Sequence, residues 1–424
     1  MARTSSLIGL EAEKFGIRSD GTPLHFRDVV AIMAELRSRF GWTAVSESDE
    51  VPLIALTRAN ASITLEPGSQ FELSGAPLPD VHAVAAEVQQ HREELASLES
   101  AKNVHWIGLG YHPTARDSDL DWVPKGRYPI MQRYLPTQGS RGLLMMRRTA
   151  TVQANFDYRS ERDAIKKLQV SLALSPIVQA IFANSRLAEG KLTDLASNRA
   201  WVWLDVANSR AGLLPKMWNP DATLGDYIAW AQDVPMFLLK RGGTVKQATD
   251  YTFRRFMAEG IEGEHATLSD WETHLNTLFP EVRLKSTLEV RSADGVPAHF
   301  GNALPAIFAG ILYDQEALDA AHARFFSLGY EAFESARADI ASNALQAKIA
   351  GQSVQSLAVE LLSLARSGLK RRDIRNAQDQ DEGIFLDPIE ALVNDGQCVG
   401  DSLLDGINDD PRKLLSEVIS RASY

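Results

Sequence analysis

Apolar positions along the chain recur with two different periods. Runs at 5–17, 51–57, 61–66, 70–74 and 103–111 are rich in aliphatic and β-branched residues, are bounded by turn residues, and predict short strands. Between them Val29, Val30, Met33, Leu36 and Phe40 fall at helical spacing, as do Val81, Val84, Val88 and Leu95. Consecutive strands are often too close for helical crossovers, so antiparallel pairing is expected rather than a doubly wound parallel sheet. A further β-rich run, Leu143 to Tyr158, leads into a long helix with Glu161 and Asp163 near its start. Residues 224–239 and 267–279 predict helices, and 282–290 a strand. After about residue 303 the pattern is almost wholly helical through Ser367. The stretch "LKRRDIRNAQDQDE" then reads as a solvated linker, and "DPRKLLSEVIS" as a terminal helix. The expected fold is α+β: a largely antiparallel sheet forms the wall of the site and helices cover it. The chain reads as one catalytic unit, a mixed core over 1–302 with a mainly helical extension over 303–424.

Two stretches interrupt the apolar pattern with acid. "LIGLEAEKFGI" carries Glu11 and Glu13, and "ITLEPGSQFELSG" carries Glu66 and Glu72 on either side of Pro67-Gly68. Residues two apart on a strand point the same way, so Glu11 and Glu13 share a face. Like charges side by side are unfavourable unless a cation or an unusual proton arrangement separates them. If the two stretches pair in one sheet, four carboxylates line a single wall. Such an all-oxygen set suits Mg²⁺ or Mn²⁺ better than zinc. An exposed strand face is the competing account of either pair alone, and a paired-carboxylate glycosidase the competing chemistry.

Composition narrows the choice. With 424 residues and a net charge of −11, the chain is a poor general nucleic-acid binder, although a local cation cluster suffices for ATP. The single cysteine, Cys398, excludes an intramolecular disulfide and a Cys-based zinc site. No window is long and apolar enough to span a bilayer. Strand-like sequence begins almost at once, with neither a signal nor a transit segment ahead of it, so a soluble cytoplasmic protein is expected.

Basic residues favour an anionic substrate over a neutral sugar. "VPKGRYPIMQRYLP" groups Lys125, Arg127 and Arg133 with Tyr128 and Tyr134, and "SNRAWVWLD" places Arg199 four residues before Trp203. An Arg stiffened by aromatic neighbours makes a carboxylate clamp. "MMRRTATVQANFD" alternates polar residues, Thr151, Gln153 and Asn155 among them, on an expected strand. "LEVRSADG" adds Glu289, Arg291 and Asp294. For any one of these motifs alone, a surface salt bridge is the competing account.

Taken in order, "GLEAEKFGI", "ITLEPGSQFELSGAPL", "PKGRYPIMQRYLP", "RTATVQANFDY", "LALSPIVQAIFANS", "DVPMFLL", "DWETHLNTLFPEVRLKSTLEVRSADG" and "ALPAIFAGILYD" resemble the plant-type glutamate–cysteine ligases, also found in many proteobacteria. The resemblance spans roughly residues 7 to 395. It implies a fold akin to the catalytic domain of glutamine synthetase and guanidino kinases. It also implies ATP-dependent formation of γ-glutamylcysteine, the first step of glutathione synthesis, through a γ-glutamyl phosphate. By resemblance Glu11, Glu13, Glu66 and Glu72 are the Mg²⁺/ATP carboxylates (Mn²⁺ as the substitute), with Glu289 a further metal candidate. Arg127, Arg199, Trp203 and Thr151 form the glutamate set. Lys125 and Arg291 face ATP, and Arg291 and Glu72 serve the transfer itself.

The chain also departs from the family pattern. Ala12 stands where members usually carry His, Leu144 where they carry Asp, and Ala150 where they often carry Cys. Val290 and Ser292 replace the usual Met and Gly. With Cys398 alone, disulfide control of the plant kind cannot operate, and the oligomeric state, monomer or homodimer, is left open. Two alternatives stand beside a glutamate–cysteine ligase. One is a paralogue joining glutamate, or a close analogue, to a different amine; the other is a non-catalytic nucleotide- or amino-acid-binding paralogue. The partners expected in each case are small molecules, with neither nucleic acid nor membrane.

Overall fold

The computed structural model describes residues 6–46, 53–407 and 411–424. Nine strands form one sheet: β1 (Ile8–Ile17), β2 (Thr43–Val45), β3 (Ala55–Arg58), β4 (Ala61–Leu65), β5 (Phe71–Ser74), β6 (His105–Ile107), β7 (Val152–Phe156), β8 (Val282–Leu284) and β9 (Leu288–Val290). Their order is β8-β9-β7-β1-β5-β4-β3-β2, with β6 on the far half of β1, and every pairing in it is antiparallel. The antiparallel α+β expectation holds.

Register divides this sheet into two chemically different faces, because cross-strand partners point the same way. One face joins Ile8 to Phe156, Leu10 to Ala154, Ala12 to Leu73 and Val152, Ile63 to Leu73, and Val290 to Ala154. It is apolar throughout its centre and is covered by α1 (Phe26–Phe40), α2 (Val81–Ala96) and the wholly buried α10 (Ala303–Leu312). The other face joins Glu11 to Gln153 and Ser74, Glu13 to Glu72, Thr64 to Glu72, and Glu289 to Asn155 and Arg283. The period-2 alternation seen in the sequence is thus a separation of core from site.

Helices α3 (Tyr128–Tyr134), α4 (Gly142–Arg148), α5 (Glu161–Ile181) and α6 (Asn198–Trp203) follow, then α7 (Leu224–Asp233), α8 (Phe253–Glu259) and α9 (Leu268–Leu275). Ser160 caps α5 by accepting from the Asp163 amide at 3.2 Å, and α5 packs against the β8–β9 hairpin. In the C-terminal part α11 (Gln315–Phe325), α12 (Tyr330–Asn343) and α13 (Val354–Arg372) pack on α5, and α13 crosses α10 where Gly368 meets Gly310 without room for a Cβ. The terminal helix α14 (Pro411–Arg421) is present, and Ser423 then pairs with Ile107 of β6.

Several boundaries differ from expectation. The run 143–158 is not one strand: Leu-Leu-Met-Met are strong helix formers and make α4, and the strand begins only at Val152. Residues 282–290 are a hairpin, not one strand, with the Lys285 amide bonded to the Thr287 carbonyl at 2.8 Å. The helix expected over 224–239 stops at Asp233, since Pro235 disfavours helical backbone before it, and Leu238–Arg241 is a strand. The helix over 267–279 ends at Leu275. The run 103–111 forms a strand only over His105–Ile107. The stretch 369–382 is not a free linker: α13 runs through Arg372, whose guanidinium pairs with the fully buried Glu382 at 3.1 Å. Of the strands expected at 5–17 and 51–57, residue 5 and residues 51–52 lie outside the described residues.

Candidate active site

The polar face of the sheet forms the floor of a cavity. Glu13, Glu66, Arg127, Thr151, Arg199, Trp203 and Arg291 all line it, although they come from segments up to 278 residues apart. Glu11, Glu72 and Glu289 stand on the same sheet face beyond the cavity lining. Lys125 does not line it: this buried side chain donates from Nζ to the Leu65 carbonyl at 2.6 Å and stacks on Tyr128.

The turn between β4 and β5 is held rigidly. The Gln70 side chain accepts from the Gly68 amide at 2.8 Å and donates to the carbonyls of Met146 and Thr149 at 3.2 and 2.8 Å. A Cβ on Gly68 would lie 2.3 Å from the Arg147 carbonyl oxygen, so only glycine admits this approach. The Tyr128 hydroxyl and Lys125 both donate to Leu65, one residue before Glu66. The Pro67-Gly68 turn therefore fixes where Glu66 and Glu72 stand.

Three of the glutamates are electrostatically loaded. Burial, then the charges of Glu289 and Glu72, pushes Glu11 up to about 8, against the pull of Arg283 and a 2.9 Å bond from Asn155. Burial and the Glu66 and Glu72 charges hold Glu13 well above the carboxylate range. Its Oε2 accepts from the Thr151 amide at 3.0 Å. Burial and Glu72 raise Glu66 too, while Lys125, Arg127 and Arg291 oppose the shift. Glu72 accepts from the hydroxyls of Thr64 and Ser74. Carboxylates left repelling one another are the donor set that a hard cation relieves. Among the described residues, however, no three acidic, His or Cys side chains converge closely enough to form a complete cation site by themselves.

Glu289 differs from the other four. It is fully buried, and Arg283 binds both its oxygens at 2.8 Å, with Lys285 at 3.3 Å and Arg291 at 2.5 Å. Burial alone would raise its proton affinity, but these cations win and hold it below the carboxylate range. A carboxylate so compensated is spent on orienting Arg291, whose Nη1 also donates to Gln153 at 2.6 Å. In this structure Glu289 thus stands as the anchor of Arg291. Arg283 was missed in the sequence because nothing local marks its partner across the hairpin.

The arginine set is similarly sorted. Arg199 is buried, which lowers its proton affinity, and it donates to the carbonyls of Ser292 and Arg291 at 3.0 and 2.7 Å. Asp294 lies 3.9 Å from it and accepts from the hydroxyls of Ser185 and Ser197. Trp203 carries a buried indole N–H without a partner among the described residues, and it packs edge-on against Phe279. The Thr151 hydroxyl donates to the Ala293 carbonyl at 2.6 Å. The cavity is completed by residues with no sequence signature, Met131, Met145, Met146, Leu238, Asn276 and Phe279 among them. Cys398 is buried away from it at the start of a short helix, with its thiol pushed up to about 12 by burial and Asp401.

The departures from the family pattern fall mostly behind the wall. Ala12 and Val290 point to the core face and are 1% and 2% exposed; Ala150 is fully buried in a small apolar cluster.

A model of the glutamate–cysteine ligase family 2 matches residues 7–418. The chain is 40% identical over 401 residues to chloroplastic glutamate–cysteine ligase B of Oryza sativa subsp. japonica, covering 94% of this chain and 79% of that one. It is 37% identical over 421 residues to the chloroplastic glutamate–cysteine ligase of Arabidopsis thaliana, covering 98% and 79%. In fold it is similar to the crystal structure of a Francisella tularensis glutamate–cysteine ligase in complex with AMP, with a TM-score of 0.58, 12% identity, and coverage of 100% and 89%. These relatives correct the cytoplasmic expectation: the curated plant proteins are chloroplastic. Compartment is written in leader segments and not in a catalytic fold. Among the described residues no helix is long and apolar enough to cross a membrane.

Proposed function

The chain belongs to the glutamate–cysteine ligase family 2, and from that premise we propose that it joins the γ-carboxylate of glutamate to the amine of cysteine with ATP as the driving co-substrate. The whole chain acts as one catalytic unit, with residues 1–302 carrying the site. The observation that carries this reading is the pairing of Glu13 with Glu72 on the face where Arg291 is anchored by Glu289. One wall thus presents crowded carboxylates beside a fixed cation, and a metal nucleotide that displaced their protons would find there the arrangement phosphoryl transfer requires.

In the first step a γ-carboxylate oxygen of glutamate attacks the terminal phosphorus of ATP, and the bond to ADP breaks. In the second the free amine attacks the acyl carbon, the amide bond forms and phosphate leaves. No protein nucleophile is needed, so the protein's work is positioning and charge neutralisation. Arg127, Arg199, Trp203 and Thr151 hold glutamate; the orphan indole N–H of Trp203 suits a substrate oxygen. Arg291 lies against the transferred phosphoryl group, and Lys125 supports the site from behind. Glu11, Glu13, Glu66 and Glu72 would hold Mg²⁺, whose chemistry is to neutralise phosphate charge. Repulsion among these carboxylates supports the fit, and nucleotide oxygens supply the ligands that the side chains alone do not.

An ADP-release assay with glutamate and a panel of amines tests the reading. Strict dependence on glutamate with preference for cysteine is expected. Preference for another amine, or nucleotide binding without turnover, would overturn it.

A further inference from the structure

Residues 236–276 leave the body of the protein as an excursion with its own small core. The hairpin of Leu238–Arg241 and Thr244–Gln247, with α8 and α9, encloses Met236, Leu239, Ala248, Phe253, Phe256 and Ile261. Its inner side gives Leu238, Lys240, Thr273 and Asn276 to the cavity, which lies between this excursion and the sheet. One stem passes through Pro235 and the other through Thr277.

Arg210 touches both stems. Its side chain is fully buried, with Nη2 donating to the Pro235 carbonyl at 2.6 Å and Nη1 to the Thr277 carbonyl at 3.0 Å. Its own carbonyl accepts from the Phe279 amide at 2.7 Å. The guanidinium stacks 3.7 Å from the Phe237 ring centre and 5.7 Å from that of Tyr134. Among the described residues no carboxylate offsets its burial, the Tyr134 side chain being its one hydrogen-bonding side-chain neighbour, and its Nε has no partner. A buried cation without a counter-charge is costly, so packing alone does not account for it. What a planar fork supplies, and a lysine or an apolar side chain does not, is two donors held at once to carbonyls on separate segments. Arg283 also reaches the second stem, at the carbonyls of Asn276 and Leu278, but not the first.

We propose that Arg210 is a positioning residue that staples the two stems of the excursion and so sets the cavity wall met by the incoming amine. The second part rests on the ligase reading above. The carboxylate wall and the arginines flank the phosphoryl group and glutamate, and of the cavity lining not given those roles, Leu238, Thr273 and Asn276 are the part that the excursion carries.

The test uses the full chain as R210M and R210K. Hydrogen exchange of backbone amides should speed up about tenfold or more within 236–276 in R210M and remain unchanged in the sheet, with R210K intermediate. The KM for cysteine should rise about fivefold or more, while glutamate-dependent ADP release without amine stays within about twofold. Uniform or absent acceleration of exchange overturns the staple, and an equal rise in both substrates' KM overturns the effect on the acceptor side. If R210M does not fold, the same two measurements on R210K decide. An inactive parent chain sinks the ligase reading instead, and exchange alone then decides the staple.

Discussion

Glu13 and Glu72 are direct partners across the β1–β5 pair, two carboxylates on one rung of the sheet. No structural economy explains like charges there, since such pairs destabilise a sheet. Glu72→Gln should lower ADP release by about 10²-fold or more and leave the protein folded. It should also raise the melting temperature of the cation-free protein, because one source of repulsion is gone. Near-normal turnover would remove Glu72 from the site.

The loaded glutamates make stability depend on pH in a defined direction. Burial and mutual repulsion raise Glu11 from 4.5 to about 8, and Glu13 and Glu66 move the same way. The folded chain keeps protons there that the unfolded chain releases, so this stabilisation is complete below about 4.5 and is lost as pH rises through about 8. Melting curves of cation-free protein should therefore shift down between pH ~6 and ~8.5, and Mg²⁺ should reverse part of the loss. A flat profile would show that these carboxylates are already compensated.

Arg283 and Arg291 both bind Glu289 but should fail differently. Arg283→Met strips the bidentate partner from a fully buried carboxylate, which should cost about 3–5 kcal/mol in urea unfolding. Arg291→Met leaves Glu289 its contacts with Arg283 and Lys285, so folding should persist while ADP release collapses.

Gly68→Ala places a Cβ 2.3 Å from the Arg147 carbonyl oxygen. The turn must shift, which should cost about 1–3 kcal/mol, and turnover should fall because Glu66 and Glu72 shift with it. An unchanged denaturation midpoint would refute the tight contact between the turn and α4.

Ala12→His tests whether this departure from the family pattern touches the site. Ala12 packs between Leu73 and Val152 on the core face. An imidazole there should destabilise by about 2 kcal/mol or more, yet turnover per folded molecule should change little. A large gain in turnover would instead place position 12 in the chemistry.

Much of the site was legible before folding was considered. The alternation of Glu11 and Glu13 with Leu10 and Ala12 already assigned carboxylates to one face, and the Pro67-Gly68 turn already suggested a return to the same sheet. The Leu143–Tyr158 run misled because helix-forming Leu and Met residues abut a true strand without a breaking residue. Arg199 was legible as a cation four residues before Trp203, but its burial and its backbone partners at 291 and 292 were not.

By itself the sequence determined which residues share a face, because strand alternation depends only on near neighbours along the chain. It also determined the family, through ordered motifs that survive drift around them. Only the tertiary structure decided which charges are compensated. Glu289 is neutralised and Glu13 is not because register places Arg283 opposite one and Glu72 opposite the other. The same holds for Arg210, whose meaning lies in two carbonyls that are 42 residues apart in the chain and are brought together only by the fold. Electrostatic and hydrogen-bond energies depend on distance in space, and distances between remote segments are set by packing and register.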